Sequence, residues 1–157
     1  MSASDLVTYL RAHSILRALS EPQLAVVAAN AATRRVAAGE VLFRQGDRAT
    51  RFYMVRDGSI RVGVPAINGP ALDVQQLGSG EVLGWSWLIP PYRWTFEAQA
   101  VRDSTLVEFD GEALLRACEQ DPVLGYAVMK IFAELMSARL QAARARMMEA
   151  WAPAGWA

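Results

Sequence analysis

Ala38-Gly39-Glu40-Val41-Leu42-Phe43-Arg44-Gln45-Gly46-Asp47, then Arg51-Phe52-Tyr53-Met54-Val55-Arg56-Asp57-Gly58, is where the architecture of this chain is most directly legible. Val41-Leu42-Phe43 and Phe52-Tyr53-Met54-Val55 are short runs of strand-favouring residues set between glycine turns. The next run, Ser59-Ile60-Arg61-Val62-Gly63-Val64, alternates apolar residues with small or polar ones, the two-residue period of a half-buried strand. Arg56-Asp57-Gly58-Ser59 joins it to the run before, and an Asp-Gly pair in that setting predicts a hairpin. Leu72–Leu77 and Thr105–Phe109 read the same way, with Gly69, Gly78, Gly80 and Gly84 punctuating the interval. Many short strands at this spacing predict a sandwich, roll or barrel from about Thr33 to Asp110.

The flanks have a different period. Residues 1–32 read as helices: Ser4 or Asp5 is placed to cap a segment carrying Leu6, Tyr9 and Leu10. Ser20 and Gln23 have capping-box spacing, Pro22 suits a first helical turn, and Leu19, Leu24, Val27 and Ala28 come next at helical spacing. Residues 111–150 are predicted to be helical again, with Asp110 and Glu112 at one positive helix end and Asp121-Pro122 opening the next. Leu124, Val128, Ile131, Leu135 and Ala138 recur at alternating spacings of four and three, a stripe expected to pack on the roll or on a second copy of the helix. The tail from Trp151 is interrupted by Pro153 and Gly155 and is expected to fray. With no linker or internal repeat, residues 1–157 are expected to form one domain.

Composition narrows the function. A chain of 157 residues, 53% hydrophobic, can bury one core and is short for two. Lys plus Arg (16) balances Asp plus Glu (16), so no overall field attracts a phosphate polymer and direct DNA binding is not expected. Arg139, Arg144 and Arg146 are expected on a solvated helix face. Cys118, the only cysteine, excludes an intrachain disulfide and a multi-cysteine metal site, and it sits in an apolar-periodic stretch as a small buried hydrophobe would. His13 is equally alone and expected to be structural or solvated, since zinc needs three or four ligands. The N-terminus lacks a secretory pattern and no uncharged apolar run approaches a membrane span of roughly 18 residues, so a cytoplasmic location away from membranes is expected.

The glycine-framed runs quoted above resemble the opening of the cyclic nucleotide-binding domain family: a glycine, apolar residues, a Gln/Glu-Gly-Asp turn, then Phe-Tyr, two hydrophobics and a glycine. Leu77-Gly78-Ser79-Gly80-Glu81-Val82-Leu83-Gly84 is similar to the approach to that family's phosphate-binding cassette, and Ala100, Leu106 and Asp110 match the strands and helix start beyond the cassette. The resemblance runs from about Leu16 to Leu140 and implies mixed α and β architecture: an antiparallel β-roll of the jelly-roll type, N-terminal helices, and a long C-terminal helix. It implies a regulatory, non-enzymatic domain of the kind attached to Crp/Fnr-like effectors. Only 17 residues come after Leu140, too few for a helix-turn-helix unit, so output is expected through a protein partner or a homodimer.

The family's site is a Phe-Gly-Glu at the start of a short helix, whose Glu holds the ribose, and an Arg about ten residues later that holds the cyclic phosphate. Here the cassette is residues 83–97. Leu83-Gly84 stands for Phe-Gly, because Gly84 precedes Ala100 by the 16 residues the family shows. On that registration Trp85 replaces the ribose carboxylate and Trp94 the phosphate arginine, with Arg93 one residue early. A second registration gives Glu81 the ribose role at the cost of three or four extra cassette residues. The candidate ligand-binding residues are therefore Leu83, Gly84, Trp85, Ser86, Trp87, Arg93, Trp94 and Thr95. Together with Tyr92 and Phe96, the three indoles either stack on a planar ligand clamped by Arg93 or fill the space that a nucleotide would take. The ligand class implied is cyclic AMP or cyclic GMP bound weakly, or another planar or anionic molecule; the competing reading is a ligand-free partner-binding module. Gly78-x-Gly80-x-x-x-Gly84 has the wrong spacing for a dinucleotide loop, and no acid–base pair with a nucleophile, metal cluster or cofactor fingerprint is legible.

Overall fold

The computed structural model describes residues 1–70 and 72–151. Helix α1 (Ala3–His13) starts earlier than the Ser4 or Asp5 cap predicted for it. Ser2 is the cap: its hydroxyl accepts the Asp5 N–H at 3.1 Å, and the Asp5 carboxylate accepts the Ser2 N–H at 3.0 Å. Asp5 is the acidic partner of the box, because a carboxylate three residues into a helix can reach back to the free N–H groups. A 3-10 turn, Ile15–Ala18, leads to α2 (Glu21–Ala29), which the Ser20–Gln23 box opens as its spacing predicts.

Among the described residues eight strands come next: β1 (Ala31–Val36), β2 (Val41–Phe43), β3 (Arg51–Asp57), β4 (Ile60–Val64), β5 (Leu72–Leu77), β6 (Val82–Leu83), β7 (Glu97–Ala100) and β8 (Ser104–Asp110). They form two antiparallel four-stranded sheets, in the orders β1-β8-β3-β6 and β2-β7-β4-β5. The Asp57-Gly58 turn is a corner, not the predicted hairpin: β3 pairs with β6 and β8, while β4 pairs with β5 and β7. Asp-Gly signals the tight positive-φ turn but says nothing about which strand the chain pairs with afterwards. Gly58 (φ +125°) is fixed by crowding, since a Cβ there would overlap the Ser104 side chain.

Residues 52–55 of β3 are buried on both faces, which is why they read as a continuous apolar run instead of an alternating one. Phe52 and Met54 face the helices with Val107 and Phe109 of β8. Tyr53 and Val55 face the interior of the roll with Leu106, Ile60, Leu77 and Leu83. Two apolar clusters thus share one sheet, one between sheet and helices, the other between the sheets.

Helix α3 (Gly111–Gln120) is capped by Asp110, whose carboxylate accepts the Ala113 N–H at 2.9 Å. Asp121 ends it and opens α4 (Pro122–Trp151), accepting the Val123 and Leu124 N–H groups at 3.1 and 3.3 Å. The predicted stripe packs on the chain's own body: Leu124, Val128 and Ile131 are buried and Leu135 is packed against them, while Ala138 is exposed. Cys118 is buried, and burial pushes its thiol pKa up from the ordinary value. The proline and glycine of the tail lie outside the described residues. Among the described residues no helix is long and apolar enough to cross a membrane, and no cluster of metal-ligating side chains forms.

Candidate functional site

Past Leu135, α4 leaves the helical core and runs over the open side of the roll. The space between is a cavity of about 260 Å³. Leu83, Gly84, Trp85 and Ser86 line it from the start of the cassette, Trp94, Thr95 and Phe96 from its end. Strand residues Phe43, Val62, Val74 and Gln75 complete the roll side, and Met136, Arg139, Leu140, Ala143 and Arg146 come from α4.

Gly84 sets the shape of this site. Its φ of +98° is a left-handed conformation that L side chains rarely adopt, and a Cβ would lie 2.5 Å from the Trp94 ring. The Trp94 indole therefore rests directly on bare backbone. It is stacked on Phe43 with centroids 3.7 Å apart and planes 9° from parallel, and it is buried. Trp85 is half-buried at the edge of the cavity, where the Arg139 guanidinium lies 5.2 Å from its ring centroid.

Six of the eight candidate residues thus converge on the cavity: Leu83, Gly84, Trp85, Ser86, Trp94 and Thr95. Trp87 and Arg93 are placed elsewhere. Trp87 is 1% exposed in the helix-side core, stacked on Phe52 at 4.8 Å and edge-on to Phe132 at 5.2 Å, its Nε1–H without an acceptor. Trp85 packs against the same apolar cluster, but it alone of the two also lines the cavity. Arg93 is exposed and donates to the Gly46 carbonyl at 2.9 Å, beside the bridge between Arg48 and Arg93. Glu81 does not reach the cavity either; its carboxylate accepts the Gly78 N–H at 2.7 Å, closing a turn.

Sequence reasoning missed the cations of the site. Arg144 and Arg146 are exposed, as expected of a solvated face, but Arg139 is half-buried in the cavity wall and donates to the Val82 carbonyl; Arg146 also lines the cavity, at its exposed rim, and donates to the Val74 carbonyl. Burial lowers the Arg139 pKa from its ordinary value, with Glu81 opposing that shift. The signal available in the sequence was the spacing of Met136, Arg139 or Leu140, and Ala143, one helical face, but nothing local says that this face meets the roll.

A β-roll whose cassette and closing helix enclose a small cavity defines a class of ligand-responsive domains. The chain belongs to the cyclic nucleotide-binding domain family, whose pattern matches residues 33–121. A Geobacter metallireducens protein assigned as a cyclic nucleotide-binding protein superposes with a TM-score of 0.77 at 25% identity, covering 85% of this chain and 96% of that one. A cyclic nucleotide-binding domain from Methylobacillus flagellatus gives 0.77 at 15% identity, covering 94% and 83%. The sensor domain of the transcriptional regulator DNR from Pseudomonas aeruginosa gives 0.71 at 21%, covering 88% and 93%; these last two likenesses speak for the fold alone. In sequence, a lysophospholipase of Aspergillus oryzae is 26% identical over 102 residues, 65% of this chain but 7% of that protein. The chain spans about 7% of the length of the curated relatives it matches.

Proposed function

We propose that this domain is a non-enzymatic sensor whose cavity holds a small planar or anionic molecule and whose α4 reports occupancy to a partner. The observation that carries this reading is the composition of the cavity wall. One side is the rigid cassette and the other is α4, so a molecule between them changes the free energy of docking the helix, and a partner that reads the helix reads the ligand. Cyclic nucleotides are poor candidates for tight binding. With Trp85 and Trp94 in the cassette positions where the family has a carboxylate and a guanidinium, a ribose hydroxyl loses a charge-assisted hydrogen bond. That loss is on the order of 1.5–3 kcal/mol, or about tenfold to a hundredfold in affinity.

Calorimetric titration with cyclic AMP, cyclic GMP and 2-naphthoate tests the reading. The expected result is saturable binding of at least one of them, abolished in Ala143→Trp, where an indole from α4 occupies the cavity. No binding of any of the three at millimolar concentration overturns it.

A second reading, a homodimer through α4, is favoured by one observation. Tyr126, Met129, Leu140 and Met147 are 71, 50, 65 and 64% exposed on α4, and with Ala133 they fall at heptad spacing. The two readings are compatible, since Leu140 belongs to both the stripe and the cavity wall.

A further inference from the structure

The cavity wall is mainly aromatic and aliphatic, with Ser86, Thr95 and Gln75 as its uncharged polar groups. No aspartate or glutamate is among the residues that line it, while two arginines are. Arg139 forms no ion pair among the described residues; its one hydrogen bond goes to the Val82 carbonyl. A guanidinium has five N–H donors in a planar fork matched to a carboxylate, so a half-buried one with a single neutral acceptor leaves most of that capacity unmet. Glu81, the acid that acts on its charge, is engaged by the Gly78 N–H. The fork lies over the face of Trp85, and the stacked Trp94–Phe43 pair lines the same cavity.

Resting on the sensor reading above, we propose that the ligand is an organic monoanion, a carboxylate on a flat apolar body, with Arg139 gripping the carboxylate and the body lying among the aromatic and aliphatic side chains of the wall. Arg146, about two helical turns further along the same face, adds positive potential at the exposed outer end. This assigns recognition to α4, the element that must move for a signal, and not to the cassette. A sugar-bearing ligand is disfavoured because its hydroxyls meet carbon: in an apolar wall, unpaired hydroxyls lose their water without replacement. A flat acid meets both features at once.

The test compares 2-naphthoate with 2-naphthamide, which has nearly the same shape and no charge, by calorimetry on the full chain, with cyclic AMP as a third probe. In the wild type the acid is expected to bind at least about tenfold tighter than the amide. Arg139→Gln should remove that preference while leaving amide binding within about threefold, and Arg139→Lys, which keeps a charge, should restore part of it. Melting temperatures of both variants establish that they are folded. Equal binding of acid and amide, or a preference that survives Arg139→Gln, overturns the assignment to Arg139 and leaves the sensor reading standing. So does binding of cyclic AMP with neither naphthyl probe bound. No binding of any probe overturns both.

Discussion

Trp87 and Trp94 are seven residues apart and share a residue type, but their environments give opposite expectations. Trp87 is clasped by Phe52 and Phe132 with its Nε1–H unpaired. Replacing it with phenylalanine removes a polar group that has no partner and part of a large ring. The two effects oppose, so Trp87→Phe is expected to change stability by no more than about 1 kcal/mol in urea denaturation, whereas Trp87→Ala should cost about 3–5 kcal/mol. A phenylalanine variant as damaging as the alanine one would show that the N–H is satisfied after all. At Gly84 an added methyl meets both a positive φ and the Trp94 ring. Gly84→Ala is expected to cost about 1–3 kcal/mol and to shift the emission of Trp94 as its indole is pushed off the backbone. Of these features, the turn at Gly84 is legible from its neighbours in sequence. The seat it makes for Trp94 is not, because that contact needs the cassette to be folded back on itself.

Between strands, the first sheet is tied at one end by charge. Glu108 of β8 is 15% exposed and accepts from Arg34 of β1 at 2.7 Å and from Arg51 of β3 at 2.9 Å. Arg34 also reaches Glu40 in the turn after β1, at 3.2 Å. Glu108→Gln leaves two guanidinium groups facing each other, and since Arg51 is half exposed the cost is discounted to about 1–2 kcal/mol. Thermal denaturation of the variant should show it, and a larger loss at low salt than at high salt is expected. Glu40 gives a pH signature. The Ala37 N–H and then Arg34 hold its carboxyl below the ordinary value in the folded chain. A carboxylate lowered on folding stabilises the fold above its unfolded pKa and loses that effect as pH falls through the folded one. The melting temperature should therefore decline below about pH 4.3, and the decline should be shallower in Glu40→Gln. Identical acid profiles for the two proteins would remove Glu40 from the account. The strands carrying these charges are visible in sequence as short glycine-framed runs. Their partners are not, as the Asp57-Gly58 corner shows: strand pairing is set by contacts tens of residues apart.

For the molecule as a whole, α4 is the element on which association depends. At 30 residues it is about 45 Å long, and its first half alone is held by the core. If the exposed heptad positions pair with a second copy, sedimentation at tens of micromolar should give a dimer, and Met129→Glu with Met147→Glu should give a monomer of unchanged melting cooperativity. A wild-type monomer across that range rejects the dimer reading without touching the cavity. If ligand and dimer are linked through Leu140, adding 2-naphthoate should change the dimer's dissociation constant, and dimerisation should change the ligand's affinity by the same factor.

Local pattern was enough to establish the order helices, short glycine-framed strands, helices, and the Ser20 cap, because periodicity and turn chemistry act within a few residues; the resemblance narrowed the strands to a β-roll. The resemblance to the family, and not local pattern, singled out the cassette as unusual, through Trp85 and Trp94 at their distances from Gly84 and Ala100. Which cassette residues face the cavity, and the arrival of Arg139 and Arg146 above it, depended on folding in three dimensions. An arginine on a helix is equally at home in water or over a pocket, and the rotation of α4 against the roll is set by Leu124, Val128, Ile131 and Phe132 seating in a core drawn from the N-terminal helices, β3, β8, the cassette and α3.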